Sequence, residues 1–135
     1  MKVVLDTNVL LVSLSRRSAT NWIFQLLLDG ELTLCVTTDI LFEYEEIIAR
    51  HMGQEFSEEA LGILLDLENL LKIERYFYWN LLEKDPDDNK FIDCAIAAAA
   101  DVLVSEDRVF QQMKQVKFPQ VTCMRIDEFA AVLGI

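Results

Sequence analysis

Short apolar runs alternate with longer amphipathic stretches from one end of the chain to the other. "KVVL" (2–5), "LTLCV" (32–36), "DVLVS" (101–105) and "VTCMR" (121–125) are β-branched and apolar, as buried strands are. Between them lie segments of helical character. "SATNWIFQLLLDG" has Ser18 or Thr20 to cap its start and Gly30 to end it. "TDILFEYEEIIARHMG" carries an apolar stripe at Ile40, Leu41, Tyr44, Ile47 and Ile48, and stops at Gly53. A further helix is expected from Ser57 to about Leu71, and "IERYFYWNLL" then reads as extended. "EKDPDDNK" is turn chemistry, while "KFIDCAIAAAA", "EDRVFQQMK" and "IDEFAAVL" are helical. This alternation predicts an α/β fold built on a mostly parallel sheet. No repeat, low-complexity tract or linker divides the chain, so residues 1–135 are expected to form one domain.

Composition removes several classes of function. Apolar residues make up 53% and charged residues 26%, a globular balance rather than a disordered one. No apolar stretch approaches the ~20 residues that span a bilayer, and the N-terminus lacks the pattern of a signal peptide. Cys35, Cys94 and Cys123 lie in apolar segments with no C-x-x-C pair, which suits free thiols and a cytoplasmic setting. His51 is the single histidine, so a His-based catalytic or zinc site is not expected. A net charge of −11 argues against coating nucleic acid through the whole surface. It leaves room for a local metal site and for a basic protein partner.

Acids with apolar neighbours are the informative ones. Asp6 interrupts "MKVVLDTNVLLV" just past a strand, where sites collect in parallel sheets. Asp107 follows another strand in "DVLVSEDRVF". Both could equally be caps, Asp6 of a short turn at "NVLLV" and Asp107 of the helix that follows. Asp93 is the only charged residue between Phe91 and Ala100, so its carboxylate requires a polar or cationic partner, a metal, or an edge position. On the helix around Tyr44, Glu43 and Glu45 flank the apolar stripe and periodicity does not choose between them, whereas Glu46 faces away and can pair with Arg50. Converging carboxylates repel, and hard divalent cations with oxygen ligands relieve that repulsion. Arg16, Arg17, Lys90 and Arg108 lie near the expected strand ends, where they could contact phosphates or serve as ordinary surface charges. A haloacid-dehalogenase-type phosphatase would need an Asp where Asn8 stands. A response-regulator receiver would need paired acids in place of Leu5-Asp6.

"VVLDTNVLL", "TTDILFEYEEII" and "DPDDNKFIDCAIAAAADVLVSEDRVF", in that order, resemble PIN-domain ribonucleases, including toxins of toxin–antitoxin pairs. The resemblance runs from Val3 to about Leu133. It implies a three-layer α/β/α sandwich around a parallel sheet of about five strands. It implies a Mg²⁺- or Mn²⁺-dependent endoribonuclease with Asp6, Glu43, Asp93 and Asp107 as its acidic quartet. Asp6, Asp93 and Asp107 would hold the metal, with Asp88 a further acid, which the sequence reads foremost as a helix cap. Asn8 and Ser105 would support the site, and Arg16 and Arg17 would touch substrate. Glu106 replaces the family's usual Gly, placing extra charge beside the site. RNA would be the substrate and an antitoxin protein the partner, with a homodimer left open. A PIN-like scaffold that binds RNA or protein with weak catalysis is the alternative.

Overall fold

The computed structural model describes residues 1–135. Five strands form one sheet, all pairs parallel, in the order β3-β2-β1-β4-β5. The strands are β1 (Lys2–Leu5), β2 (Thr33–Val36), β3 (Leu70–Lys72), β4 (Val102–Val104) and β5 (Cys123–Met124). The helices are α1 (Thr7–Ser13), α2 (Asn21–Leu28), α3 (Thr38–Met52), α4 (Gln54–Asp66), α5 (Asn89–Ala98) and α6 (Ile126–Leu133). Two 3₁₀ segments, Pro86–Asp88 and Arg108–Gln115, complete the elements. From β1 the chain steps outward to β2 and β3, then crosses back to β4 and continues to β5. Right-handed crossovers made in opposite directions fall on opposite faces of a sheet, which yields the three layers.

β1 is central because its residues suit nothing else. Val3, Val4 and Leu5 are fully buried, as expected of a strand covered on both faces. Their register sets Val3 against Val102 and Leu5 against Val104. The strand order reverses beside β1, so the crevice between the carboxyl ends of β1 and β4 is the topological switch point. Asp6 stands at that point, and its N–H donates to the Val104 carbonyl at 3.0 Å.

Two helical expectations change. "TNVLLVS" is α1, an element the alternation did not separate from a turn. The helix expected from Ser57 to Leu71 is instead Gln54–Asp66, and Leu70–Lys72 pair with β2 as the edge strand. Open backbone groups on the β2 edge decide this, since Leu34↔Leu70 and Cys35↔Leu71 complete the ladder. Gly30 at φ +76° and Gly53 at φ +93° do end α2 and α3, in a backbone region that favours glycine.

Tyr44 ties α3 to the sheet. Its ring is fully buried, and its hydroxyl donates to the Leu5 carbonyl at 2.6 Å, one residue before Asp6. Tyr44→Phe removes that donor from a buried acceptor, so urea denaturation should show a loss of about 1–3 kcal/mol. Parent-like stability would mean that the hydroxyl does not fix α3 against β1.

Candidate functional site

The ends of β1 and β4 form one hydrogen-bonded unit. The buried Ser105 hydroxyl donates to Asp6 Oδ2 at 2.7 Å, and the Asp107 N–H donates to Ser105 Oγ at 3.0 Å. Asp107 Oδ1 accepts the Val109 N–H at 3.0 Å, capping the 3₁₀ segment, while its side chain stays exposed. On the other flank, Thr7 Oγ1 donates to Glu43 Oε2, and Lys90 Nζ lies 2.6 Å from Glu43 Oε1. Glu43 is therefore the α3 acid at this site, a choice helical periodicity left open.

Asp88 joins these acids. It occupies the N-cap position of α5, yet its side chain makes no capping hydrogen bond. Its carboxyl is pushed up to about 6 from 3.8, first by burial and then by the negative charges of Asp6, Asp107, Asp85 and Glu43. Asp6 is also raised, chiefly by burial, with Asp107 and Glu43 adding to the rise; the Ser105 hydroxyl and the Thr7 N–H oppose it. Asp6 and Asp88 thus both feel the negative charges of Glu43 and Asp107 across the switch point. Of the two roles the sequence offered Asp88, helix cap and further acid, the capping hydrogen bond is the one its side chain does not make.

Asp93 takes different partners. It is 1% exposed, as its apolar surroundings demand, but its partners lie away from the cluster. Oδ1 accepts the Trp79 N–H at 3.2 Å, and Oδ2 lies 3.6 Å from the Arg75 guanidinium, which also reaches Asp39 at 3.6 Å. Burial raises its carboxyl, while the Trp79 N–H and Arg75 lower it. Asp93 Oδ2 and Arg75 Nε have no hydrogen-bond partner; the two residues meet through Arg75 Nη1, 3.6 Å from Oδ2, an ionic contact alone. Asp88 and Asp93 differ by about 140° around a helix, and a single face does not present both.

The remaining expected residues fall into place more simply. Asn8 is exposed on the first turn of α1, beside the buried Thr7. Arg16 and Arg17 are exposed after α1, without ion pairs. Glu106 does not load the cluster with charge: Oε2 lies 3.0 Å from Arg125 Nε, and Oε1 accepts the Ile126 N–H at 3.1 Å, at the start of α6. Thr7 and Lys90 as holders of Glu43 had no signal in the sequence beyond a hydroxyl and a cation near the acidic segments.

The cluster offers oxygen donors only, and two of its acids, Asp6 and Asp88, are raised first by burial and then by neighbouring negative charge. That chemistry fits a hard divalent cation. No three His, Cys, Asp or Glu side chains are drawn together tightly enough to enclose an ion by themselves. Mg²⁺ does not require enclosure, since it is commonly held by one or two carboxylates with water and phosphate completing its shell. No helix is long and apolar enough to cross a membrane.

Comparison with known proteins shows the family and agrees with the fold. The family model described as "PIN domain" matches residues 2–109. A solved structure of VapBC2 from Rickettsia felis, bound to a DNA fragment from their promoter, is similar in fold, with a TM-score of 0.64 at 18% identity. The match covers 93% of this chain and 98% of that one. A search of curated proteins returned no match.

The raised carboxyl of Asp88 generates a pH prediction. The folded state holds this proton more tightly than the unfolded state does. Its contribution to stability is therefore present below the unfolded value of 3.8 and is lost as pH rises through about 6. The metal-free protein should melt at higher temperature near pH 5 than near pH 7.5. Asp88→Asn should flatten that slope and add about 1–3 kcal/mol at neutral pH, after allowance for solvent screening. Melting curves in chelator across this range test it, and an unchanged slope in Asp88→Asn would remove Asp88 from the cluster.

Proposed function

The chain belongs to the PIN-domain family, and on that premise we propose that it is a Mg²⁺- or Mn²⁺-dependent endoribonuclease, the toxin of a toxin–antitoxin pair. The observation that carries the reading is the gathering of Asp6, Glu43, Asp88 and Asp107 at the carboxyl ends of β1 and β4, where burial first and neighbouring negative charge second push Asp88 up to about 6. Asp6, Asp88 and Asp107 would hold the cation, while Glu43 has its charge offset by Lys90. A divalent cation there supplies positive charge to a phosphodiester and makes a water a better nucleophile.

The chain's own groups provide the positioning. Ser105 fixes the Asp6 carboxylate through Oδ2, and the Asp107 N–H in turn fixes the Ser105 hydroxyl. Thr7 and Lys90 hold the two oxygens of Glu43. Tyr44 and Leu5 lock α3 to β1, so Glu43 and Asp6 approach from two elements that do not slide past each other. Preorganised carboxylates need little rearrangement when a charged ligand arrives. Asn8 and the exposed Arg16 and Arg17 are available to a bound phosphate chain.

A basic partner suits the same cluster. The net charge is −11, and a cation supplied by an antitoxin would relieve the carboxylate repulsion as a metal does. The likeness to VapBC2 supports a search for such a partner. The second reading, a scaffold that binds RNA or protein with weak catalysis, draws on the Lys90–Glu43 contact, which occupies one of the acids.

One experiment separates them. Purified protein is incubated with a mixed pool of single-stranded RNA, with Mn²⁺ or with chelator. Cleavage should require the ion and fall at least about a hundredfold in Asp6→Asn, which keeps the size of the side chain but removes its charge. Cleavage by Asp6→Asn at the parent rate would overturn the mechanism. No cleavage by a folded, metal-supplied parent would favour the scaffold.

A further inference from the structure

Glu106 stands in sequence between Ser105 and Asp107, the two residues that build the β4 end of the cluster, yet its carboxylate engages the segment after β5. The β4–β5 ladder shows why. Leu103 donates its N–H to the Thr122 carbonyl at 2.8 Å, and Ser105 donates to the Met124 carbonyl at 2.9 Å. In a parallel pair the next rung would bring the Ile126 N–H to the Ser105 carbonyl. That N–H goes instead to Glu106 Oε1 at 3.1 Å, while Oε2 lies 3.0 Å from Arg125 Nε. A side-chain carboxylate has replaced a ladder carbonyl at the point where the two strands part. Glycine or alanine at this position would leave the rung open.

The constraint runs from α6 to the loop. α6 is docked by groups of its own: Phe129 is fully buried with its ring 5.8 Å from that of Trp22, and the Arg125 N–H donates to Glu128 Oε1 at 3.1 Å. The Asp107 carboxylate is less held. It accepts one hydrogen bond, from the Val109 N–H of its own segment, and makes no ion pair. Its place therefore depends on the backbone that carries it. That backbone has two side-chain anchors, one toward each neighbour of β4 in the sheet. Ser105 ties it to Asp6 beside β1, and Glu106 ties it to Ile126 beside β5.

Arg125 has a separate task. Its contact with Glu106 is solvent-exposed on both partners, so it contributes little to stability. It does offset the charge of Glu106, and the negative charges that raise Asp6 and Asp88 do not include Glu106. The loop is thus held by an acid whose charge is spent away from the cluster.

We propose that Glu106 is a positioning residue of the acid cluster: by receiving the Ile126 N–H it braces the β4 loop against α6 and fixes Asp107 opposite Asp6. The inference rests on the nuclease reading, in which Asp107 is a cation ligand, and adds a residue that acts on the site through Asp107.

Two substitutions separate position from charge. Glu106→Ala and Glu106→Gln remove the same charge, but only the glutamine retains an oxygen for the Ile126 N–H. Amide hydrogen exchange is measured on the metal-free proteins, and Mn²⁺ binding by calorimetry without RNA. In Glu106→Ala the Asp107 and Val109 amides should exchange faster. The Phe129 amide, bonded to the Arg125 carbonyl at 2.9 Å within α6, should keep the parent rate. Mn²⁺ affinity should fall at least about tenfold, the usual effect of removing a group that orients a ligand. Glu106→Gln should return both the exchange rates and the affinity close to the parent's. Equal weakening in the two variants overturns the proposal, since charge alone would then act. Faster exchange at Phe129 together with Asp107 also overturns it, since Glu106 would then serve only to dock α6. So does parent-like behaviour in Glu106→Ala. The expected split between alanine and glutamine in a protein that never cuts RNA upholds the brace and defeats the nuclease reading. Metal-dependent cleavage by the parent, with Mn²⁺ affinity unchanged in Glu106→Ala, does the reverse. A parent that binds no Mn²⁺ overturns both.

Discussion

Ser105 donates to Asp6 and accepts from the Asp107 backbone, and this one hydroxyl joins the carboxyl ends of β1 and β4. Everything at the site depends on that junction. The strand order reverses beside β1, so the crevice opens there. Without the Ser105 hydroxyl, the Asp6 carboxylate would sit buried among like charges with only the Thr7 N–H to offset its desolvation. With the donor, the charge is retained at a fixed place, and the other acids gather around it. Thr7 and Lys90 do the same for Glu43, one helix away. The fold supplies rigidity through Tyr44 and the fully buried β1, and that rigidity keeps the acids from relaxing apart.

Two acids of the third segment show how a structure divides labour among similar side chains. Asp88 lies at the mouth of α5, where burial and four neighbouring acids raise its carboxyl to about 6. Asp93 lies deeper and finds a cation, Arg75, together with the Trp79 N–H. The first arrangement stores repulsion that a cation can release. The second uses a buried ion pair to hold a loop, and breaking such a pair typically costs about 3–5 kcal/mol. Arg75 extends the network to Asp39 and, through its face, to Tyr78. The anchored loop therefore carries its rings outward, while its far end returns to Asp88 through Leu82 and Asn89.

The strands β1, β2, β4 and β5 were legible because apolar runs buried on both faces have few other readings. Asp6 and Ser105 were legible for a related reason: a polar residue directly after such a run belongs at the sheet edge where crevices open. Other features were not legible. Leu70–Lys72 extends an amphipathic pattern, and only the open edge of β2 makes it a strand. The isolation of Asp93 in an apolar helix revealed that it must have a partner, but periodicity reports burial and not destination. Its partner, Arg75, lies in a segment with no regular period. Asp88 looked like a cap because Asp at a helix start commonly is one. The charges that raise it come from three other parts of the chain. Glu106 offered a charge beside the site, and Arg125, distant in sequence, takes that charge away.

Cation binding by the acid cluster is the claim on which the account turns, and calorimetric titration with Mn²⁺ at pH 6 addresses it without any RNA. Two buffers of different ionisation enthalpy report the protons released as the ion binds. The account predicts saturable binding with proton release in the parent, with weaker binding and less release in Asp88→Asn. It predicts Mn²⁺ affinity close to the parent's in folded Asp93→Asn. Parent-like binding by Asp88→Asn beside complete loss in folded Asp93→Asn, or no binding by the parent at all, would contradict it.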